Sequence, residues 1–388
     1  MTKTAKRLDG IGEYYFSQKL REIDEMNKAG RNVINLGIGS PDLPPHPDVI
    51  KVLQEESARP NVHAYQSYKG SPVLREAIAS WYQTWYGVTL DPATEILPLI
   101  GSKEGIMHIC MTYLDEGDQA LIPDPGYPTY SAAVKLAGGT PVGYLLKEEN
   151  EWRPDFAALE AMDLSKVKLL FVNYPHMPTG KLPEKAFLTQ LIAFAKSHDL
   201  LIVHDNPYSF ILNEEPASLL ALPGAREVVL ELNSLSKSQN MAGWRIGMLC
   251  AAKNRIDEVL RFKSNMDSGM FLPVQLAAAK ALQLGADWYQ QVNAVYRNRR
   301  NKAFELLDLI GASYSTDQVG MFVWAKIPEG FQDGFEVSDR ILQNAAVFIT
   351  PGGIFGKGGN AFIRVSLCST EERFAESIER IKSAQKSN

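Results

Sequence analysis

Short apolar runs alternate with amphipathic stretches along most of this chain. Strands are predicted at VINLGIG (33–39), QALIPDP (119–125), TPVGYLL (140–146), KLLFVNYP (168–175), LLIVHD (200–205), EVVLELNSLS (227–236) and GWRIGMLCA (243–251). Several are apolar nearly throughout, the pattern of strands covered on both faces. Helices are predicted between them, near 71–86, 102–114, 128–137, 184–197 and 253–265. Strand and helix in alternation specify an α/β domain with a mostly parallel sheet. From about 275 to 310 the pattern is that of one long helix, with Gly285 as its kink. A strand (319–327), a helix (334–346), two more strands and a final helix follow, and these form a separate α+β unit. Pro44, Pro45 and Pro47 mark where an N-terminal segment enters the main domain.

Composition narrows the function classes. The 388 residues suit two or three domains. Acids number 45 and bases 40, for a net charge of −5, which speaks against a nucleic-acid or polybasic membrane-surface partner. The three cysteines, at 110, 250 and 368, are far apart and form no CxxC pair. That usage fits a reducing compartment and offers no zinc site. No signal-peptide core opens the chain, and no uncharged apolar run reaches the 18 or so residues a bilayer requires. A cytoplasmic protein is the expectation.

Five segments carry candidate chemistry. Asp205 ends the strand LLIVHD and is followed by Asn206, Pro207 and Tyr208. Carboxyl ends of parallel strands are where α/β proteins place ligands, although a lone loop acid is more often a helix cap. Lys237 lies among Ser234, Ser236 and Ser238 directly after an apolar strand, with Arg245 eight residues on. Hydroxyls and a guanidinium suit a phosphate, and a lysine beside them is placed to form a Schiff base with an aldehyde. GSKEGI (101–106) turns into a helix whose free N–H groups favour an anion. In PDPGYPTY (123–130), Tyr127 offers a flat ring at the end of a strand. Arg364 lies in the alternating strand FIRVSL, where it is either a structural arginine or a carboxylate clamp. The GK pair in PGGIFGKGG lacks the P-loop spacing, and GIGSPD is not GxGxxG. The six histidines show no metal-binding spacing, so no metal is expected. There is no GxSxG elbow.

Taken in order, GIGSPDLPP, YQSYKGSPVLREAI, GSKEGI, PDPGYPTY, NYPHMPTG, HDNPY, SLSKSQNMAGWRIG, PGGIFGKGG and FIRVSL resemble the class I/II pyridoxal-phosphate aminotransferases of fold type I, over nearly the whole chain. The nearest motifs are those of the LL-diaminopimelate and aspartate aminotransferase branch. The resemblance implies a seven-stranded, mostly parallel large domain over 45–284, with the N-terminal segment 1–44 joining 285–388 in a small domain. It implies an amino group moved from an L-amino acid to a 2-oxo acid by ping-pong kinetics, and pyridoxal 5′-phosphate as cofactor. Lys237 would carry the Schiff base and move the Cα proton. Asp205 would pair with the ring nitrogen, and Tyr208 would donate to the ring O3′ oxygen. Tyr127 would stack on the ring. Gly101, Ser102, Lys103, Ser234, Ser236 and Arg245 would hold the phosphate, with Asn173 and Met177 also beside the cofactor. Arg364 would grip the substrate carboxylate under the Gly37–Gly39 loop, with Ile38, Gly39 and the segment of Tyr14, Tyr15 and Phe16 lining the substrate side. Tyr65 would reach the neighbouring subunit's phosphate, which implies a homodimer. A C–S β-lyase on the same scaffold, and a cofactor-binding protein with weak or no transaminase activity, are the alternatives.

One position departs from the family pattern. The motif at 176–180 usually reads x-N-P-T-G, and here it is His-Met-Pro-Thr-Gly. The thioether of Met177 cannot replace the amide that donates to O3′. Asn173 and His176 are the neighbours from which the missing contact would come. Without that donor, O3′ keeps the Schiff-base proton more firmly. A spectrophotometric pH titration should therefore give a higher pKa in the wild type than in Met177→Asn, and an equal or lower value would refute the argument.

Overall fold

A computed structural model describes residues 2–13 and 15–386. Its strands are β1 (Ile34–Asn35), β2 (Ile96–Leu99), β3 (Gln119–Asp124), β4 (Thr140–Leu145), β5 (Val167–Asn173), β6 (Leu201–Asp205), β7 (Val229–Ser234), β8 (Gly247–Cys250), β9 (Ser313–Tyr314), β10 (Phe322–Lys326), β11 (Val347–Phe348), β12 (Thr350–Pro351) and β13 (Phe362–Ser366). Seven of them form one sheet in the order β2-β8-β7-β6-β5-β3-β4. Its pairings from β4 through β7 are parallel, and β8 alone runs against its neighbours.

The central strands are apolar on both faces because both faces are covered. Leu170, Val172 and Ile202 pack into one core with Phe187, Leu191 and Ile192 of the helix Lys185–Ser197. Leu169, Phe171, Val203, Leu230 and Leu232 point the other way. They meet Ile106 and Ile109 of the helix Ser102–Tyr113, Tyr130 and Val134 of Pro128–Leu136, and Ile256 and Val259 of Lys253–Lys263. The two-residue side-chain period of a strand divides one apolar run between two cores.

β12, β13, β10 and β9 form a second, antiparallel sheet. The N-terminal segment returns to this part of the molecule, since β1 pairs in parallel with β11. Past β1, the chain is held by Ser366 N–H donating to the Leu36 carbonyl at 2.7 Å and by the Thr350 hydroxyl donating to that of Gly37 at 2.8 Å. Arg299, almost fully buried, closes the arrangement with a two-pronged ion pair to Asp42 at 2.6 and 2.8 Å.

Several predicted elements have different limits. VINLGIG is strand only over Ile34–Asn35, because the following residues bond to the second sheet as a loop. The expected long helix is two, Leu272–Leu282 and Ala286–Ile310, parted at Gly285, which caps the second from an extended conformation. The segment 227–236 begins with a helical turn over Ala225–Val228. The predicted strand 243–251 starts only at Gly247, because Ala242–Trp244 form a 3₁₀ turn and Arg245 is left-handed at φ +58°. The short β2, carrying Pro98, and the helices Tyr15–Lys28 and Pro47–Ser57 were not expected. Among the described residues, no helix is long and apolar enough to cross a membrane.

The Arg299–Asp42 pair fixes the loop that follows β1. Arg299→Met leaves a half-sheltered carboxylate without its cation, so unfolding in urea should show a loss of about 2 kcal/mol. A change within error would mean that the pair adds nothing.

Candidate active site

Asn173, Asp205 and Ser234 are the last residues of β5, β6 and β7. The register pairs Asn173 with Asp205 and Asp205 with Leu232, so the carboxyl ends of the three strands lie side by side. A cavity of about 450 Å³ opens at this edge. Ser102, Lys103, Tyr127, Asn173, Met177, Asp205, Tyr208, Ser234, Ser236, Lys237, Arg245, Ile38, Gly39 and Arg364 all line it. Fourteen positions from distant parts of the chain thus meet as expected from the sequence.

Asp205 is 5% exposed. One carboxylate oxygen, Oδ2, accepts from the Tyr130 hydroxyl at 2.9 Å, and Oδ1 is buried without a hydrogen-bond partner. Burial pushes its pKa up to about 6, against the opposing pull of Tyr130, His204 and Lys237. Asn173 secures the strand end. Its amide donates to the Asp205 carbonyl at 2.5 Å, and its own oxygen accepts from Met177 N–H at 2.7 Å.

Lys237 Nζ donates to the Gly39 carbonyl at 2.6 Å. Burial lowers its pKa, and the cations of Arg364 and Arg245 act in the same sense, while Cys368 and Asp205 oppose them. Burial raises that of the Tyr208 hydroxyl. At the far end, the Ser234 hydroxyl donates to that of Ser236 at 2.8 Å. The helix Ser102–Tyr113 begins here, and its cap residue, Gly101, has no side chain to satisfy the first N–H groups. A Cβ at Gly101 would collide with the Arg245 guanidinium, and one at Gly247 would lie 2.6 Å from Ser102 N. The two glycines bring that guanidinium and the helix N-terminus together.

Arg364 is buried on the opposite wall, 3.8 Å from the centre of the Phe322 ring and 4.6 Å from that of Phe355. It donates to the Gly37 carbonyl at 2.8 Å, and its other terminal nitrogen lies 3.4 Å from Met177 Sδ. Neither suggested neighbour stands in for the amide that Met177 replaces. Both ends of the Asn173 side chain are engaged, and His176, which burial holds neutral with a pKa of about 3, has Nδ1 2.8 Å from Thr179 Oγ1 and does not line the cavity.

Two expected residues lie elsewhere. The Tyr15 ring packs edge-on against Phe335, and its neighbour Phe16 lines the cavity. Tyr14 lies outside the described residues. Tyr65 is 92% exposed and is not part of this chain's cavity wall. Tyr130, Leu20, Phe322 and Phe355 were not anticipated as lining residues. Tyr130 had a signal, since it stands three residues after Tyr127 on the helix that Pro128 opens. Away from the cavity, Glu104, His108 and Asp267 converge, but Lys263 Nζ already sits 2.7 Å from both Asp267 oxygens.

The donor set fits pyridoxal phosphate. An orphaned acid oxygen suits a protonated ring nitrogen, the uncapped helix with its hydroxyls and arginine suits the phosphate, and a lysine amine of lowered pKa suits the aldehyde.

Comparison with known proteins agrees. The model of the family "Aminotransferase class I and II" matches residues 31–381. LL-diaminopimelate aminotransferase of Dehalococcoides mccartyi is 41% identical over 381 residues, covering 98% of each chain. That of Halothermothrix orenii is 39% identical over 384 residues, again with 98% of each covered. The substrate-bound structure of BacF from Bacillus subtilis superposes with a TM-score of 0.92 at 36% identity, covering 99% of this chain and 98% of that one. The relatives' names favour transamination over the lyase alternative. The chain belongs to the class I and II aminotransferases, pyridoxal-phosphate enzymes of fold type I.

Proposed function

We propose that this aminotransferase works through Lys237, Asp205, Tyr208 and Arg364, and as a homodimer. The observation that carries the assignment is Asp205 Oδ1, a buried acceptor without a partner in the cavity that also holds Lys237 and Arg364. Bound pyridoxal phosphate supplies an aldehyde for the amine and a ring that takes up the charge left when Cα loses its proton.

The chain's own groups do the rest. Asp205 holds the ring-nitrogen proton, and Tyr130 and Asn173 fix its orientation. Ser102, Ser234, Ser236 and Arg245 bind the phosphate, and Lys103 adds positive charge at the same helix start. Tyr127 and Tyr208 line the same cavity, where Tyr127 would cover the ring and Tyr208 would donate to its oxygen. Arg364 takes the substrate α-carboxylate, and its stacking between Phe322 and Phe355 keeps the guanidinium in one plane. Lys237 would hold the aldehyde of the cofactor, and its amine would move the Cα proton. Its lowered pKa favours the neutral amine that both tasks need. The donor leaves as a 2-oxo acid before 2-oxoglutarate or pyruvate takes up the amine, so the two half-reactions share one site.

A dimer gives the exposed Tyr65 a task. Tyr68 and Phe271 are exposed near it, His63 stacks on Phe271, and the 66–67 backbone packs on Gly269. A partner's cavity would receive Tyr65 and cover this apolar surface.

Borohydride should fix the cofactor to Lys237, as read by peptide mass, and Lys237→Ala should lose that label and at least ~10³-fold in turnover. A label on another lysine would refute the assignment.

Asp205 predicts a pH effect. Its raised pKa means that its share of stability, full in acid, is lost as pH rises through about 6. Without cofactor, Asp205→Asn should gain on the wild type as pH rises from about 4 through about 6, reaching about 3 kcal/mol in urea unfolding above that range. Saturation with cofactor should reverse the order, because the ring N–H then pairs with the carboxylate.

A further inference from the structure

β6 ends in two titratable side chains, His204 and Asp205. Successive side chains of a strand point to opposite faces, so His204 is turned away from the cavity that Asp205 lines. On that covered face the register sets His204 directly opposite Glu231 of β7. His204 is 2% exposed, Glu231 is 0% exposed, and neither lines the cavity.

Their hydrogen bonds decide their charge. The Tyr174 carbonyl, which can only accept, lies 3.1 Å from His204 Nε2, so that nitrogen carries a proton. Nδ1 lies 2.9 Å from Glu231 Oε2. Glu231 also accepts from Leu219 N–H at 3.0 Å, from the Tyr82 hydroxyl at 3.0 Å and from the Ser218 hydroxyl at 2.8 Å. The Ser218 oxygen itself accepts from Leu220 N–H at 3.1 Å, which leaves its proton for Glu231. A carboxyl group met by so many donors is held as the carboxylate, and a carboxylate this deep requires a cation beside it. Its ion-pair partner is His204. The other titratable neighbours, Tyr82, Tyr86, Tyr174 and Cys250, stay neutral because burial raises all four. A doubly protonated ring thus stands one residue from Asp205.

The titratable groups that share the cavity with Asp205 nearby are Tyr127, Tyr130, Tyr208 and Lys237. Burial keeps the hydroxyls of Tyr130 and Tyr208 neutral and lowers the proton affinity of Lys237. The positive ring behind the sheet favours the ionised form of the acid. It also holds the Tyr174 carbonyl, at the start of the loop whose Met177 N–H is bonded by Asn173. We propose that His204 and Glu231 form a positioning pair, which acts from the far face of the sheet to keep Asp205 ionised and ready for the protonated ring nitrogen of the cofactor. The proposal rests on the role given to Asp205 above and adds two residues that touch neither cofactor nor substrate.

Binding of pyridoxal phosphate to the apoenzyme, followed across the acid range by quenching of intrinsic fluorescence, tests the pair. Once Asp205 is protonated, the cationic ring must expel that proton to bind, so affinity falls as pH falls. The part of this fall that Asp205→Asn abolishes belongs to Asp205. In His204→Gln, in Glu231→Gln and in the double variant, that part should move up by about one pH unit, which weakens binding about tenfold on the acid side. The three shifts should be alike, because the positive ring is lost with either partner. Tyr82→Phe removes a hydrogen bond from Glu231 but no charge, and should leave the profile in place. Nitrogen-15 labelling of the six histidine rings reads the wild type directly. One solvent-protected ring should carry protons on both nitrogens at neutral pH, and the absence of such a ring overturns the proposal. So does a profile that the folded pair variants leave unmoved, or that Tyr82→Phe moves as far, and in either case Asp205 keeps its role. A profile that Asp205→Asn does not alter overturns that role and the proposal with it.

Discussion

A carboxylate buried at the carboxyl edge of a parallel sheet, with one oxygen unpaired, is the constraint around which this molecule is arranged. Such a group is costly, and its raised pKa records the cost. The sheet places it where the strand register brings β5, β6 and β7 to an end together. Tyr130, stacked on Phe171 of β5, satisfies the other oxygen from the helix that follows β3. In the proposed site a cationic ring nitrogen would complete the set, matching the cofactor to the fold by charge.

The cavity then separates charge by position. Its phosphate end uses backbone N–H groups, hydroxyls and Arg245, all brought close by glycines at 101 and 247. Its substrate end has a single guanidinium set among aromatic rings. Lys237 lies between them with its amine on the Gly39 carbonyl. A lysine placed among Arg245, Arg364 and apolar walls loses proton affinity, the condition for acting as a nucleophile at neutral pH. The Met177 side chain offers Arg364 its thioether, and Arg364 also donates to the Gly37 carbonyl and lies over ring faces.

The two ends of the chain meet to make the substrate side. β1 pairs with β11, and Asp42 is held by Arg299 of the longest helix. The loop 37–42 is therefore bonded to the second sheet, while its Gly39 carbonyl accepts from Lys237. Arg364 and Lys237 thus donate to carbonyls two residues apart on one loop, those of Gly37 and Gly39.

Much of this was legible in the sequence. The parallel sheet could be read because strands covered on both faces are apolar throughout. Asp205, Lys237 and Arg245 could be read because chemistry demands those residue types close to strand ends. Motif order extended that reading to Ser102, Tyr127 and Arg364. What the sequence left open is what depends on which side chains meet across space. Periodicity does not say whether Tyr15 or Phe16 faces inward, since one helical step of about 100° separates them. It does not say that Tyr130 spans from a helix to the acid of another strand, or that Phe322 and Phe355 stack on Arg364. Nor does it place a break at Gly285, because an amphipathic pattern runs on through a short interruption. The sequence by itself determined the chemistry of the reacting groups, because those roles admit few residue types. The tertiary structure alone decided which of this chain's side chains line the substrate side, because many apolar residues could fill it and only packing selects which ones do.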